Sequence, residues 1–435
     1  MLNIDEVLGR SQSAKDRLGS KGCCFLGKNV SYPGGKYEEM GRTYLDLVSP
    51  HCMLVLGKRG TGKSYTLGVL AEGFASLEDD SRERLSVVII DTMSVFHSLK
   101  KENVNPREVE RMKDFGLSPR EFRDTVKVMV PAAAIHKARE KGWELHHDGV
   151  LEIPLRSVNV HDWLEIFDLK LTETAGTRLC SLISQLEKKG SYSFRDIYDT
   201  LEATDDEHAE TLKNLFAMME DLELFSQEGT VSDLIEPGRI TVLDVSYLGR
   251  LGGYDLRTLV VSIFAREQMA LRTLYTTVEM QAQAGLVDSD TTRDITKEHP
   301  LVYMLIDEAH LFLPRTGSTL ATEPLIDWIK LGRHPGLSLI LATQEPSALH
   351  DSAIRQSDMI IAHNLTARDD VAALGMAKQS YMKKGLDDMV SDMEFKRGLA
   401  MVFDDKTRRL QMCIVRPRQS LHTGVDASAL PPEDR

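Results

Sequence analysis

The stretch Gly57-Lys58-Arg59-Gly60-Thr61-Gly62-Lys63-Ser64 decides the fold. It matches the pattern GxxxxGK[ST], in which a glycine-rich turn joins a strand to a helix. The chain around it supplies that context. His51 to Leu56 is an apolar strand, and Ser64 to Ala75 reads as a helix. Glycines let the backbone fold into a nest of inward-facing N–H groups that suits phosphate oxygens. The helix N-terminus adds its dipole to the same anion. In such a nest Lys63 reaches the β and γ phosphates and the Ser64 hydroxyl binds Mg²⁺. Gly57, Lys58, Arg59, Gly60, Thr61, Gly62, Lys63, Ser64 and Tyr65 are therefore the expected nucleotide-binding residues.

Working outward, Leu85 to Ile90 is a continuous apolar, β-branched run ending at Asp91. Ile240 to Val245, Leu301 to Ile306, Leu337 to Ala342 and Met359 to Ala362 are similar. Such runs suit strands covered on both faces of a parallel sheet. Helical patterns at Leu256 to Leu274 and Glu323 to Leu331 alternate with them. The alternation predicts an α/β fold, a RecA-like P-loop core on a mainly parallel sheet. The core is expected at 51–96 and 236–420. Residues 97–235 are charged and helix-forming and read as a helical insertion, within which Asp205-Asp206-Glu207 is a solvated helix start or loop. Residues 1–50 form a short β-rich segment, with strands at Cys23–Gly27 and Tyr44–Val48 and a turn at Pro33-Gly34-Gly35. Residues 276–299 read as a loop, 400–404 with 410–415 as a hairpin, and 421–435 as a flexible tail.

Two further strand ends carry chemistry. Leu301–Ile306 runs into Asp307 and Glu308, placing Asp307 in a Mg²⁺ shell and Glu308 beside an attacking water as its base. Leu339–Thr343 runs into Gln344, which is placed to sense the γ-phosphate or to position water. Arg333, in Gly332-Arg333-His334 just before that strand, is a candidate to act across a subunit boundary. Its plainer role is to cap a helix C-terminus.

Composition narrows the class. The 435 residues allow two or three domains at roughly 150 residues each, or one elaborated α/β domain. Hydrophobic residues are 42% and charged residues 27%, so the chain is globular rather than disordered or fibrous. The net charge of −13 excludes a uniformly basic nucleic-acid binder, but not a locally basic channel. The 5 cysteines, at 23, 24, 52, 180 and 413, form no CxxC pair. That argues against a disulfide framework or zinc site and fits a reducing cytoplasm. No apolar run approaches the ~18 residues of a spanning helix. Asp5 and Glu6 stand where an export signal would be apolar, so neither membrane nor export is expected.

The motifs taken together, GKRGTGKS after HCMLVL, then VVIID, LIDEAH, LGRHPGLSLILATQEPSAL and IVRPRQSLH, resemble the HerA-like (DUF87-type) ATPases of the HerA/FtsK superfamily. The resemblance covers 45–95 and 240–420. It implies ATP and Mg²⁺ as cofactors, a homo-oligomeric ring, hexameric in the family, and ATP-driven movement of double-stranded DNA. It also implies a partner nuclease of the NurA kind or another effector, in DNA end processing or antiphage defence. By position it carries Lys63 and Ser64 over to the Walker A site, Asp307 and Glu308 to the Walker B site, Gln344 to the glutamine after the sensor strand, and Arg333 to the trans-acting arginine. Arg416 and Arg418 match a C-terminal Arg-Pro-Arg that reaches a neighbouring subunit. The family usually opens with a β-barrel. With 50 residues ahead of the P-loop strand, that barrel is expected to be absent or truncated, which puts docking to a NurA-like partner in doubt.

A translocating ring needs basic loops that grip phosphates without reading sequence. Lys100 and Lys101, and Arg315 after the Walker B strand, are the candidates. The alternative is a nucleotide-controlled oligomeric scaffold or switch that activates an effector without processive translocation. Asp307-Glu308-Ala309-His310 also spells a DEAH-box motif, but that class needs a second RecA-like domain, for which no second set of motifs is found. No LSGGQ-like signature supports an ABC ATPase.

Overall fold

A computed structural model describes residues 5–31, 38–203, 208–251, 254–287, 295–364 and 398–424. The acidic run at 205–207, the turn at 33–35 and the tail beyond 424 lie outside the described residues.

One 13-stranded sheet organises the chain. Its strands are β1 (Glu6–Leu8), β2 (Cys23–Ser31), β3 (Glu38–Asp46), β4 (Cys52–Leu56), β5 (Leu85–Asp91), β6 (Val126–Pro131), β7 (Gly149–Leu151), β8 (Ile240–Asp244), β9 (Leu301–Ile306), β10 (Leu337–Thr343), β11 (Met359–Ala362), β12 (Leu399–Asp404) and β13 (Arg409–Val415). Their order is β1-β3-β2-β13-β12-β11-β4-β10-β9-β5-β8-β6-β7. From β11 to β7 every pairing is parallel. From β11 through β12, β13, β2 and β3 it is antiparallel, with β1 added in parallel at the end.

The strands are apolar throughout because both faces are covered. Along β5, Val87 and Ile89 join one core while Val88 and Ile90 join the other. Along β4, Met53 and Val55 separate from Leu54 and Leu56 in the same way. This is the period of two in a doubly covered sheet. The first face carries the P-loop helix Lys63–Ala75 through Leu67, Leu70 and Phe74. The second carries Leu256–Gln283 and Thr322–Leu331, together with a helical cluster at 160–220 built on Trp163, Leu182 and Phe216.

Two sequence expectations are corrected. The span 97–235 is not a helical insertion throughout: β6 and β7 join the central sheet beside β8, and the helical pack on one face begins only near 155. Ahead of the P-loop strand, β1 to β3 continue the same sheet through β13, and β1 returns against the β12–β13 hairpin through Gly9 to Asp404 and Arg409 to Glu6. Residues 276–283 are not a loop but the end of the helix that begins at Leu256. That last part is exposed and polar, so it lacks the apolar period from which helix is read.

Candidate active site

The parallel strands β4 to β11 all end at the same edge. The P-loop follows β4, Asp91 ends β5, Asp244 ends β8, Asp307 follows β9, and Gln344 follows β10. In open α/β sheets this carboxyl edge is where ligands sit. Sheet order thus gathers motifs that the chain spreads over nearly 290 positions.

The loop has the backbone its sequence requires. Gly57, Gly60 and Gly62 all take positive φ, at 156°, 76° and 116°. Lys58 O accepts from the Thr61 amide at 3.2 Å, the Thr61 hydroxyl at 2.7 Å and Lys63 Nζ at 3.1 Å. Lys63 is buried, and burial pulls its pKa down despite the nearby charges of Glu308 and Asp307. A Cβ at Gly68 on the following helix would lie 2.7 Å from the Arg418 guanidinium, which would have to shift to admit it.

Ser64 Oγ donates to Asp307 Oδ2 at 2.6 Å, joining residues 243 apart in the chain. Asp307 Oδ1 accepts from the Glu308 amide at 3.0 Å. Glu308 itself takes a left-handed backbone, φ 51°. For a non-glycine residue this costs of order 1–3 kcal/mol, and such strain concentrates at functional sites. Glu308 Oε2 is buried and has no hydrogen-bond partner among the described residues. His310 Nδ1 lies 3.6 Å from it and 3.0 Å from Thr343 Oγ1, tying the end of β9 to the end of β10. The backbone at Gln344 lies near enough to the Glu308 carboxylate to favour its ionised form. Burial raises the pKa of both acids; for Glu308 the neighbouring Asp307 adds to the rise. Asp91, fully buried near Asp244 and Asp307, is pushed up to about 7 by burial first.

Other expected site residues fall elsewhere. Tyr65 adjoins the loop, but its hydroxyl donates to Glu108 at 3.1 Å and accepts from the Arg418 amide at 2.6 Å. Lys58 and Arg59 are exposed on the loop. Arg333 is exposed at the opposite, amino edge of the sheet, before β10 begins.

Two candidate sets are corrected. Arg416 and Arg418 do not reach outward. Both are buried against Glu72 of the P-loop helix, with Arg416 Nη1 at 2.6 Å and Arg418 Nε at 3.6 Å from its carboxylate. They clamp this chain's own C-terminal segment onto its own P-loop helix. Lys100 is buried and paired with Asp148 at 2.5 Å, which withdraws it from a surface role. Lys101 is exposed. Arg315 is exposed with a 3.5 Å pair to Asp351.

Comparison with known proteins gives the family. The family described as "Helicase HerA, central domain" matches residues 36–267, more than half of the chain. The chain belongs to the HerA central-domain family. A curated relative, the DNA double-strand break repair helicase HerA of Saccharolobus solfataricus, is 22% identical over 355 residues. That match takes in 80% of this chain and 58% of the relative, so the chain spans little more than half of the relative's length. Among solved structures, VirB4 of Thermoanaerobacter pseudethanolicus aligns at 16% identity over 94% of this chain and 98% of that one, with a TM-score of 0.49. The plasmid coupling protein TrwB aligns at 14% identity, over 87% and 88%, with a TM-score of 0.47. Membership of the family and the loop's form make this HerA-type chain a P-loop NTPase with a RecA-like core. Among the described residues no helix is long and apolar enough to cross a membrane.

Sequence reasoning also missed a neighbour of the loop. His363, at the end of β11, is buried under the P-loop. A lone histidine after a short apolar strand carries no local signal; only the pairing of β11 with β4 places it there.

Proposed function

We propose that this chain hydrolyses ATP to drive double-stranded DNA through a homo-oligomeric ring. The observation that carries the reading is the Ser64–Asp307 contact at 2.6 Å beside Glu308, whose Oε2 is buried without a partner. A hydroxyl and a carboxylate in contact, next to an unpartnered second carboxylate, fit a Mg²⁺–nucleotide better than they fit a structural core. Among the described residues no group of three or more His, Cys, Asp or Glu is arranged to hold a metal alone. Mg²⁺ held by Ser64 and Asp307 would complete its shell from phosphates and water, as Mg²⁺ sites commonly do. Bound there, the ion would neutralise charge on the β and γ phosphates.

The chain's own groups then divide the work. The inward amides and Lys63 hold the phosphates. Lys63 must leave Lys58 O to do so, and its burial strengthens the interaction that replaces it. Glu308 orients and deprotonates the attacking water, its raised pKa bringing it nearer neutral pH. Gln344, at the end of β10 beside Glu308, would sense the γ-phosphate or position the water.

The place of Arg333 supports action on a neighbour's nucleotide and not on that of its own subunit. Arg333 precedes β10, whose seven residues at about 3.3 Å each put it roughly 20 Å from the P-loop edge. If it is catalytic, it acts on a neighbour's nucleotide, which requires an oligomer; a hexamer would follow the family. DNA would be held by Lys101 and Arg315, repeated around the ring. A partner nuclease or effector, in end processing or antiphage defence, would use the product.

The test is complementation. Arg333→Ala should abolish turnover yet bind nucleotide and assemble, and mixing it with Glu308→Gln subunits should restore activity at interfaces that combine an intact Glu308 with an intact Arg333. Full-rate hydrolysis by a monomer in sizing-column fractions overturns the ring mechanism. Turnover that double-stranded DNA fails to stimulate favours the nucleotide-controlled scaffold instead.

A further inference from the structure

His363 follows β11 and lies 1% exposed against the underside of the P-loop. Its amide continues the ladder to Leu56 O at 2.8 Å, the last residue before the loop. Its Nε2 is 2.8 Å from Thr66 Oγ1 in the first turn of the P-loop helix. Its Nδ1 is 3.2 Å from Leu399 O, the first residue of β12. The next residue completes the grip: Asn364 O accepts from the Lys58 amide at 3.2 Å. Contact with the glycines is close. A Cβ on Gly57 would lie 2.8 Å from His363 Cβ, and one on Gly62 would lie 3.7 Å from its ring.

The partners fix the ring's state. Leu399 O can only accept, so Nδ1 carries the proton. Nε2 is then bare and accepts from the Thr66 hydroxyl. The imidazole is neutral, as its setting demands: burial first, and the charge of Lys63 after it, bring the pKa down to about 4. A lysine or arginine in this place would repel Lys63, and an aliphatic side chain would leave the Thr66 hydroxyl, itself fully buried, without an acceptor.

We propose that His363 is a positioning residue for nucleotide binding, holding the start of the phosphate nest and the first turn of its helix in register from beneath. The inference rests on the nucleotide-site reading above and deepens it. Lys58 is the junction: its amide is pinned to Asn364, and its carbonyl holds Thr61 and Lys63. When Lys63 transfers to phosphate, the clamp keeps the nest from relaxing. Such a device sets affinity rather than the chemical step, because His363 lies behind the loop and touches no reacting atom.

The experiment uses the full chain and steady-state hydrolysis of MgATP, with melting measured in the absence of nucleotide. Thr66→Val removes only the hydroxyl, and His363→Leu removes the ring's hydrogen bonds. Each should raise the KM about tenfold, the upper range for one hydrogen bond, with kcat within about threefold. The double variant should be no worse than the worse single, since both break one contact. His363→Gln, whose amide oxygen can accept from Thr66, should recover most of the affinity. A wild-type KM in both single variants, or a double variant whose loss is the product of the singles, overturns the proposal. If His363→Leu does not fold, Thr66→Val and His363→Gln decide alone. Lys63→Ala separates the two levels. If it abolishes ATP binding while Thr66→Val is unaffected, only the His363 role falls. If Lys63→Ala binds ATP normally, the nucleotide-site reading falls with it.

Discussion

The two edges of the sheet treat buried carboxylates in opposite ways. At the amino edge, Asp46 is fully buried but held by Arg10 at 2.8 Å, with His51 at 3.5 Å. His51 in turn meets Asp358 at 2.8 Å. Burial alone would push Asp46 up; contacts from His51 and Ser49 and the charge of Arg10 overcome it and hold the acid below its usual range. His51 moves up for the complementary reason: its two carboxylate partners outweigh burial. At the carboxyl edge, Asp91, Asp307 and Glu308 all move up, because burial there is met by one nearby lysine and by other acids. The amino-edge charges are paired inside the fold. On the proposed reading, those at the carboxyl edge are left unpaired for a cation, and a bound metal–nucleotide would offset part of their desolvation.

The largest effect that would break this comparison lies at the carboxyl edge. Glu308→Gln keeps the shape and removes the base, so ATP turnover should fall by roughly 10²–10⁴, with nucleotide binding retained. Single-turnover hydrolysis and equilibrium binding measure the two separately. Turnover near wild type would mean that the unpartnered oxygen is not the base, and the two edges would then differ in burial alone.

A smaller effect belongs to the amino edge. Arg10→Ala leaves Asp46 buried without its cation, which should cost about 3–5 kcal/mol in stability. Denaturant unfolding reads the loss. Turnover per folded molecule should stay within about threefold, because this network touches no nucleotide group. Lost turnover in fully folded protein would show that the amino edge serves the reaction and is not merely structural.

The smallest effect is one of pH, and it sharpens the comparison. Asp307 and Glu308 must be ionised to act, and their folded pKa values lie above the ordinary carboxylate range. Turnover should therefore fall as pH drops through those raised values, earlier than for exposed carboxylates. Each unit below should cost up to about tenfold for each of the two acids. The stability signs oppose each other. The contribution of Asp46, with its depressed pKa, is present above its unfolded value and lost as pH falls through the folded one. That of Asp91 is fully present below its unfolded value, near 4, and lost as pH rises to about 7. A kcat profile carried well below the ordinary carboxylate value and up to neutral pH, with unfolding measured over the same range, checks both. An acid limb at the ordinary carboxylate value would show that nucleotide removes the burial cost altogether.

Local pattern carried the nucleotide machinery. Glycines that demand positive φ, an apolar strand before them and a helix after them specify a phosphate nest within a dozen residues, because backbone strain and strand periodicity are short-range. The acids after Leu301–Ile306 were legible for the same reason, and the apolar runs announced a sheet covered on both faces. Strand order was not legible, since any apolar run fits between any two others. Placing β6 and β7 in that sheet, and β2 beside β13, required the tertiary structure. Charged side chains followed the same division. A sequence shows that Lys100, Arg416 and Arg418 are cations, but not that Asp148 and Glu72 bury them; Glu72 lies 344 residues from Arg416. Nor does it show that His363, 297 residues after Thr66, supports the loop. The sequence by itself determined the nest, the two acids and the class of fold, because these rest on backbone conformation and on hydrophobic period. Which charges are spent inside the molecule, and which remain for a ligand, only the tertiary structure decided, because pairing and desolvation are set by neighbours in space.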